Sequence, residues 1–404
     1  ISYHYSLIIT QASMNTGKYV FSQLIEFLPK RIFDGIVKRH SGDKWTKAMS
    51  CWNQLLLMMF GQLSGCDSLR ELACVIAAHQ SKSYHLGFGK GSFARSTLEY
   101  ANANRDYKIF EEFAYYMINL AQSKRIDREF VINGKFYAFD STTIDLCLSL
   151  YEWARFRKTK GGIKVHTLFD VVTQIPVYIH ITEAKIHDMN AMDDIPYEPY
   201  AFYIFDKGYY DLARLYTIAT IGSHFIIRQK SSFNYEVIDG EDVLDGADNV
   251  LLDQMIRPVG YHTKKKYPAE LRRIVYYAPD LKRTFTFLTN NRELKAKDIA
   301  LLYKERWQVE LFFRWIKLHL RVKSFWGNTE NAVRIQIYTA IATYCLVAIV
   351  EHDCQLNRST FNVLRVLSHS LLDKTSIRDL FSNSESLDNR YIEDCSQLKF
   401  DFVY

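Results

Sequence analysis

Two short apolar runs in this sequence each end on an aspartate. Phe130–Phe139 leads into Asp140 within F-D-S-T-T-I, and Ala201–Phe205 leads into Asp206 within Y-I-F-D-K-G-Y-Y. Runs this short, rich in aromatic and β-branched residues, read as strands. Gly162–Phe169 and Ile175–Thr182 read as a hairpin, Leu212–Ile221 as a helix, and His224–Arg228 as a further strand. Strands mixed with helices in this order predict an α/β sheet domain. Such sheets place functional groups at the carboxyl ends of their strands. An Asp just past a strand is also a common turn residue, so position alone decides neither case.

The chain on either side is different in texture. Residues 14–125 read as an all-helical N-terminal domain. Trp45–Leu63 is a strongly apolar helix, and Ser68-Leu-Arg-Glu71 has the form of a capping box that opens the next one, ending near Ala78. After Gly87, Gly89 and Gly91 comes a short polar helix, Ala94–Arg105, carrying Arg95, Ser96, Thr97, Asn102 and Arg105. Helix, turn and polar helix are compatible with DNA binding, as they are with many all-helical domains. Residues 231–292 read as a β-rich insertion with Ile274–Tyr277 and Thr284–Thr289 as strands. Between residues 251 and 290 lie eight Lys or Arg against three Asp or Glu. Such a surface is either a solvated β face or one that meets phosphates. A long helical pattern begins near Lys295 and runs to about Val322, Ile335–His352 follows, and 356–404 is a tail that turns acidic.

Composition bounds the class. The chain has 404 residues, 48% hydrophobic and 24% charged, which excludes a disordered chain, a collagen-like chain and a coiled-coil rod. The net charge of +6 permits nucleic acid as a partner without requiring it. Cys51, Cys66, Cys74, Cys147, Cys345, Cys354 and Cys395 include no C-x-x-C pair, and their number is odd. They read as buried or inert thiols in a reducing compartment, with no zinc ribbon. The first thirteen residues lack the basic and apolar regions of a secretory signal, and Met14 reads as the more natural start. The longest apolar run, Ile337–Val350, falls short of a membrane-spanning helix and reads as a buried core helix.

The helix after residue 295 carries the chemistry. Tyr303, Arg306, Glu310 and Lys317 lie at offsets of 0, 3, 7 and 14. At 3.6 residues per turn they fall within roughly 60° of one another. Leu301, Leu302, Val309, Phe312, Phe313 and Ile316 make the other faces apolar enough to bury the helix. A buried helix with one polar stripe suits the wall of a site. Two or three carboxylates can hold a pair of Mg²⁺ ions about 4 Å apart, which activate the attacking oxygen and stabilise the leaving oxygen of a phosphoryl displacement. Cations would also relieve the repulsion between carboxylates that close.

Y-x2-R-x3-E-x6-K at Tyr303, Arg306, Glu310 and Lys317 resembles the YREK signature of bacterial insertion-sequence DDE transposases, the insertion sequence four family. Asp140-Ser-Thr resembles that family's first catalytic block, and Asp206-x-Gly208-Tyr209 its second. The resemblance runs from about residue 128 to 350. It implies an RNase H-like catalytic core, residues 128–230 and 293–355, interrupted by the insertion at 231–292. Asp140, Asp206 and Glu310 would be the catalytic, metal-binding carboxylates. The metal would be Mg²⁺, two ions, with Mn²⁺ able to substitute. The reaction would be cleavage at the element's own ends and joining of the 3′-hydroxyl to target DNA. The implied partners are double-stranded DNA (terminal inverted repeats and target) and a second copy of the chain in a homodimer. The implied location is the bacterial cytoplasm and nucleoid, with no membrane. Tyr303, Arg306 and Lys317 would meet DNA.

Lys164 and His166, two apart in G-G-I-K-V-H, share one strand face and join the DNA-binding candidates; a solvent face of an edge strand is the other reading. Asp188 in His187-Asp188 reads as a cap, and Trp326 as core packing, with base stacking the alternative. A different RNase H-like nuclease, or a DNA-binding remnant that no longer cuts, remains open. A glycosidase carboxylate pair does not account for Arg306 and Lys317 on the same stripe.

Overall fold

The computed structural model describes residues 17–47, 49–89, 93–125, 132, 134–147, 149–157, 160–240, 247–318, 322 and 325–382. They fall into two compact units. One holds the described residues up to Arg125 and those from Arg314 onward; the other holds those between, ending at Phe313.

The first unit is all-helical: Val20–Ile25, Lys30–Arg39, Cys51–Leu63, Leu69–Ala78, Arg95–Asn104, Lys108–Lys124, Glu330–Asp353, Thr360–Ser370 and Ile377–Ser382. Glu330–Asp353 is long and apolar enough by composition to cross a membrane, yet almost all of its apolar window is buried against neighbouring helices. Several of its polar groups find partners inside. Gln62 Nε2 donates to the Gln336 carbonyl at 2.9 Å, and Thr343 Oγ1 donates to the Thr339 carbonyl at 2.8 Å. Gly61 permits a close approach here, because a Cβ on it would lie 2.7 Å from the Trp326 ring. Trp326 is thus a core residue. The capping box at Ser68 forms as expected, with Ser68 Oγ accepting from the Glu71 N–H at 3.2 Å. The helix expected from Trp45 begins only at Cys51, and Trp45 lies outside it with a positive φ and an exposed ring.

The polar helix Arg95–Asn104 also forms, but part of its polar set faces inward. Gln54 Nε2 donates to Asn102 Oδ1 at 2.7 Å in the core, and Arg105 donates to Gln54 Oε1 at 2.8 Å and to the Met49 carbonyl. Those two residues hold the helices together, because a buried amide or guanidinium must find partners.

The second unit is built on one ten-stranded sheet. Its strands are β1 Phe136–Leu146, β2 Arg155–Arg157, β3 Lys160–Asp170, β4 Ile175–Glu183, β5 Phe202–Phe205, β6 His224–Arg228, β7 Tyr235–Asp239, β8 Val250–Pro258, β9 Leu271–Ala278 and β10 Arg283–Thr289. The order is β2-β3-β1-β5-β6-β10-β9-β8-β7, with β4 also paired to β3. β4, β3 and β1 form an antiparallel meander, whereas β1, β5 and β6 run parallel. β10 then joins β6 antiparallel, so the 231–292 stretch extends the same sheet. Aromatic and branched side chains of β1, β5 and β6 form the core with Leu212, Leu215 and Ile218 of the helix Leu212–Thr220.

Two boundaries differ from the sequence-based expectation. The strand expected to end at Asp140 continues to Leu146, because β3 pairs with it along that length. Residues 130, 131 and 133 of the expected strand lie outside the described residues. The stretch 314–355, assigned above to the catalytic core, groups with the helices. An apolar helix goes where its surface is covered, and the helical unit covers it.

Candidate active site

Asp140 and Asp206 stand side by side for a reason of register. β1 and β5 pair in parallel from Phe136↔Phe202 to Phe139↔Phe205, and the pairing stops there. The next residue on each strand is the aspartate. β5 then turns into a short 3₁₀ stretch, Lys207–Tyr209, in which Asp206 Oδ2 accepts from the Gly208 N–H at 3.3 Å. The turn bond uses Oδ2 and leaves Oδ1 to face the helix that follows β10.

The expected long helix is two helices, Ala296–Glu305 and Trp307–Leu318, and the break falls on Arg306. The Arg306 N–H donates to the Tyr303 carbonyl at 3.2 Å, and the Val309 N–H to the Arg306 carbonyl at 3.2 Å. These bonds to the third residue back tighten the chain into a 3₁₀-type turn. Three of the four stripe residues face the carboxylates. Arg306 Nη1 lies 3.1 Å from Asp140 Oδ2, and Nη2 lies 2.6 Å from Glu310 Oε1. Tyr303 donates to Asp206 Oδ1 over a long 3.5 Å, and its ring packs on Phe287. Arg306 also lies over the Tyr303 ring, 5.9 Å from its centroid. Lys317 sits on the same helix, past Phe313 where the sheet-bearing unit ends.

Burial dominates the electrostatics. It pushes the Asp140 carboxyl up to about 7; Arg306 and the Ser141 N–H, at 2.8 Å from Oδ1, pull it back, and the Glu310 and Asp206 charges add to the rise. Burial likewise raises the Tyr303 phenol. Arg306 is raised above its ordinary value despite burial, because Tyr303, Asp140 and Glu310 favour its charge. Its side chain is only 9% exposed, so it is a buried cation with two carboxylate partners.

The donor set suits a hard divalent cation, which prefers carboxylate oxygens. The strained ionisation of Asp140 is a cost that such a cation would offset. Among the described residues, however, no three His, Cys, Asp or Glu are grouped around one metal position. Arg306 takes up oxygens of both Asp140 and Glu310.

Lys164 and His166 lie elsewhere than expected. β4 covers the far edge of β3, so neither is on an edge strand. His166 is fully buried, and burial lowers its imidazole to about 4, leaving it neutral. Its Nε2 lies 3.0 Å from Thr182 Oγ1. Lys164 is buried and pairs with Asp188 at 3.1 Å. His166 has no surface to offer DNA, and Lys164 very little. Asp188 does not cap: the cap of the 3₁₀ stretch Asp188–Asp194 is His187, whose Nδ1 accepts from the Met189 N–H at 3.3 Å. Asp188 accepts instead from Ser141 Oγ at 2.8 Å. The sequence offered only one hint of this contact, the Ser in D-S-T.

Part of the basic surface of the insertion and its border is paired. Arg257 meets Glu236 and Glu270, Arg272 meets Asp253, and Arg292 meets Glu270. Lys264, Lys265 and Lys266, on the short helix Tyr261–Lys266, are exposed.

A mixed sheet that ends two neighbouring strands on Asp140 and Asp206, beside a helix whose Arg306 meets both Asp140 and Glu310, defines an α/β protein with a carboxylate-centred site. Residues 134–346, more than half of the chain, match the family model of the transposase DDE domain. Residues 16–89 match the model of a domain of unknown function. The chain is 35% identical over 269 residues to a putative transposase of Sinorhizobium fredii, covering 66% of this chain and 73% of that protein. It is 25% identical over 289 residues to a probable transposase for insertion sequence element IS5377 of Geobacillus stearothermophilus, covering 69% and 76%. A piggyBac transposase synaptic complex with hairpin DNA aligns over 94% of this chain and 85% of that one, at 12% identity and a TM-score of 0.44, a likeness too low to build on. The chain belongs to the DDE transposases and is a DNA transposase.

Proposed function

We propose that this transposase cleaves the ends of its own insertion sequence and joins them to target DNA, with Asp140, Asp206 and Glu310 as the catalytic carboxylates. The observation that carries this is the single guanidinium of Arg306 shared by Asp140 and Glu310, with Asp206 on the adjoining strand end. The antiparallel meander β4-β3-β1, continued by parallel β5 and β6, supports an RNase H-like core. The order Tyr303, Arg306, Glu310, Lys317 supports membership of the insertion sequence four group.

The three carboxylates would hold Mg²⁺, which when bound supplies Lewis acidity toward the phosphate and a more acidic attacking water. The chain's own groups do the rest. Arg306 aligns two carboxylates and offers a buried guanidinium that a phosphate would draw upon. Tyr303 steadies Asp206 and adds a donor beside it. Lys317 and the exposed lysines at 264–266 would add affinity through phosphate contact without sequence preference. The helical unit contributes end recognition, a second copy completes a dimer that pairs two ends, and the protein works in the bacterial cytoplasm and nucleoid.

The test is nicking of a duplex that carries the inverted repeat flanking the element. Asp140→Ala, Asp206→Ala and Glu310→Ala should each abolish Mg²⁺-dependent nicking while leaving end binding intact. Equal nicking by any of them overturns that residue's assignment. A joined product in a strand-transfer assay is expected, and nicking without joining would make the chain a plain nuclease.

A further inference from the structure

Behind Asp140, on the opposite face of the sheet, lies a second charged cluster. Successive residues of a strand point to opposite faces, so Ser141 shares its face with His166 and Lys164, its partner and near-partner on β3. Asp188 closes this cluster. One carboxylate oxygen, Oδ1, accepts from Ser141 Oγ at 2.8 Å and from Lys164 Nζ at 3.1 Å. Lys164 Nζ also donates to the Ile186 carbonyl at 2.8 Å, which ties it to the chain just before Asp188. The neutral His166 ring stacks at 11° to the Phe139 ring, and its Nδ1 lies 4.0 Å from the same Asp188 oxygen.

The placement matters because of what β1 lacks at this point. Up to Phe139 it is held on both edges, by β3 and β5; from Asp140 on, only β3 pairs with it. A strand held on one edge is free to twist. The Ser141 side-chain bond acts where the lost ladder would have acted, and Ser141 also donates its N–H to Asp140 Oδ1. A hydroxyl fixed from one face and an amide directed to the other set the rotation of the peptide that carries the Asp140 carboxylate. Asp188 is 38% exposed, so its contribution is geometric far more than electrostatic.

We propose that Asp188 is a positioning residue for Asp140, acting through the Ser141 hydroxyl and itself held in place by Lys164. The inference rests on Asp140 being a catalytic carboxylate. It gives Lys164 a role inside the sheet in place of the DNA contact expected from the sequence. Side chains one step removed from a metal ligand commonly change affinity or rate by about 10- to 100-fold when altered.

The experiment uses the full chain, the terminal-repeat duplex and Mn²⁺ as probe. It compares wild type with Ser141→Ala, Asp188→Ala, the double variant, Ser141→Thr and Asp140→Ala. Three quantities are read: Mn²⁺ binding followed by electron paramagnetic resonance, single-turnover nicking, and end-DNA affinity. Ser141→Ala and Asp188→Ala should each weaken Mn²⁺ binding and slow nicking by about 10-fold or more, with DNA affinity and Tm unchanged. The double variant should be no worse than the poorer single, because both break one link. Ser141→Thr, which keeps the hydroxyl, should restore most of the loss. Losses that multiply in the double variant, losses confined to DNA affinity, losses that follow Tm, or no loss at all would each overturn the proposal. Asp140→Ala separates the two levels. If it nicks like wild type, the site assignment itself falls and the proposal with it. If it is inactive while Asp188→Ala behaves as wild type, only the proposal falls.

Discussion

Asp140→Asn should make the protein more stable at pH 8 in the absence of divalent cations, and by less at pH 5. Burial raises the Asp140 carboxyl from 3.8 to about 7. Between those values the folded chain keeps a proton that the unfolded chain has released. The folded state then binds more protons than the unfolded state, so stability falls as pH rises through this window. Each pH unit is worth about 1.4 kcal/mol, so roughly two units of the window lie between pH 5 and 7, equivalent to about 3 kcal/mol. Asn keeps the shape and cannot ionise. Its advantage over Asp should therefore grow by about 2–3 kcal/mol from pH 5 to pH 8, less whatever the lost charge pair with Arg306 contributes. The carboxyl is 19% exposed, so solvent screens this only weakly. Urea unfolding in EDTA at both pH values, followed by circular dichroism in the sheet-bearing unit's transition, measures the difference. An Asn variant less stable than wild type at pH 8, or a difference that does not change with pH, would refute the reasoning. The variant should be inactive at every pH, so the same group that weakens the fold would be the one that the chemistry requires.

Three further outcomes follow from named contacts. Arg306→Ala leaves Asp140 and Glu310 without their shared guanidinium and should lower stability at pH 8 by about 3 kcal/mol as well as abolish nicking; a Tm equal to wild type would show that the pair is not buried in solution. Arg125, almost fully buried, pairs with Glu351 and donates to Thr360 Oγ1 at 2.8 Å, so Arg125→Ala should destabilise the helical unit by about 3 kcal/mol in urea titration. Gly240 has φ +119°, and a Cβ there would lie 2.5 Å from the Asp253 carbonyl oxygen; Gly240→Ala should cost about 1–3 kcal/mol and loosen the β7–β8 pairing, seen as faster amide exchange in those strands.

Much of the site was legible in the residues themselves. Apolar runs ending in Asp140 and Asp206, and a helix with Arg306 four residues before Glu310, are local patterns. Local patterns report strand or helix period and the chemistry carried on each face. That is why the hairpin β3–β4 and the strands β5 and β6 fall where the pattern puts them. It is also why the capping box at Ser68 could be read in advance.

What the pattern could not carry was pairing between distant segments. Nothing near Lys164 or His166 announces that β4 will cover them, or that Asp188 will reach Ser141 across 47 residues. Nothing within 231–292 says that β10 will dock on β6 and make the insertion an extension of the main sheet. The apolar run around Ile341 specifies burial without saying among which helices, and the fold placed it in the helical unit. The break at Arg306 was not announced locally either; it falls at the residue that meets both Asp140 and Glu310. The sequence by itself determined which side chains carry charge and which runs seek cover. The tertiary structure alone decided which charges meet, because that depends on strand register and on the partners that desolvate them.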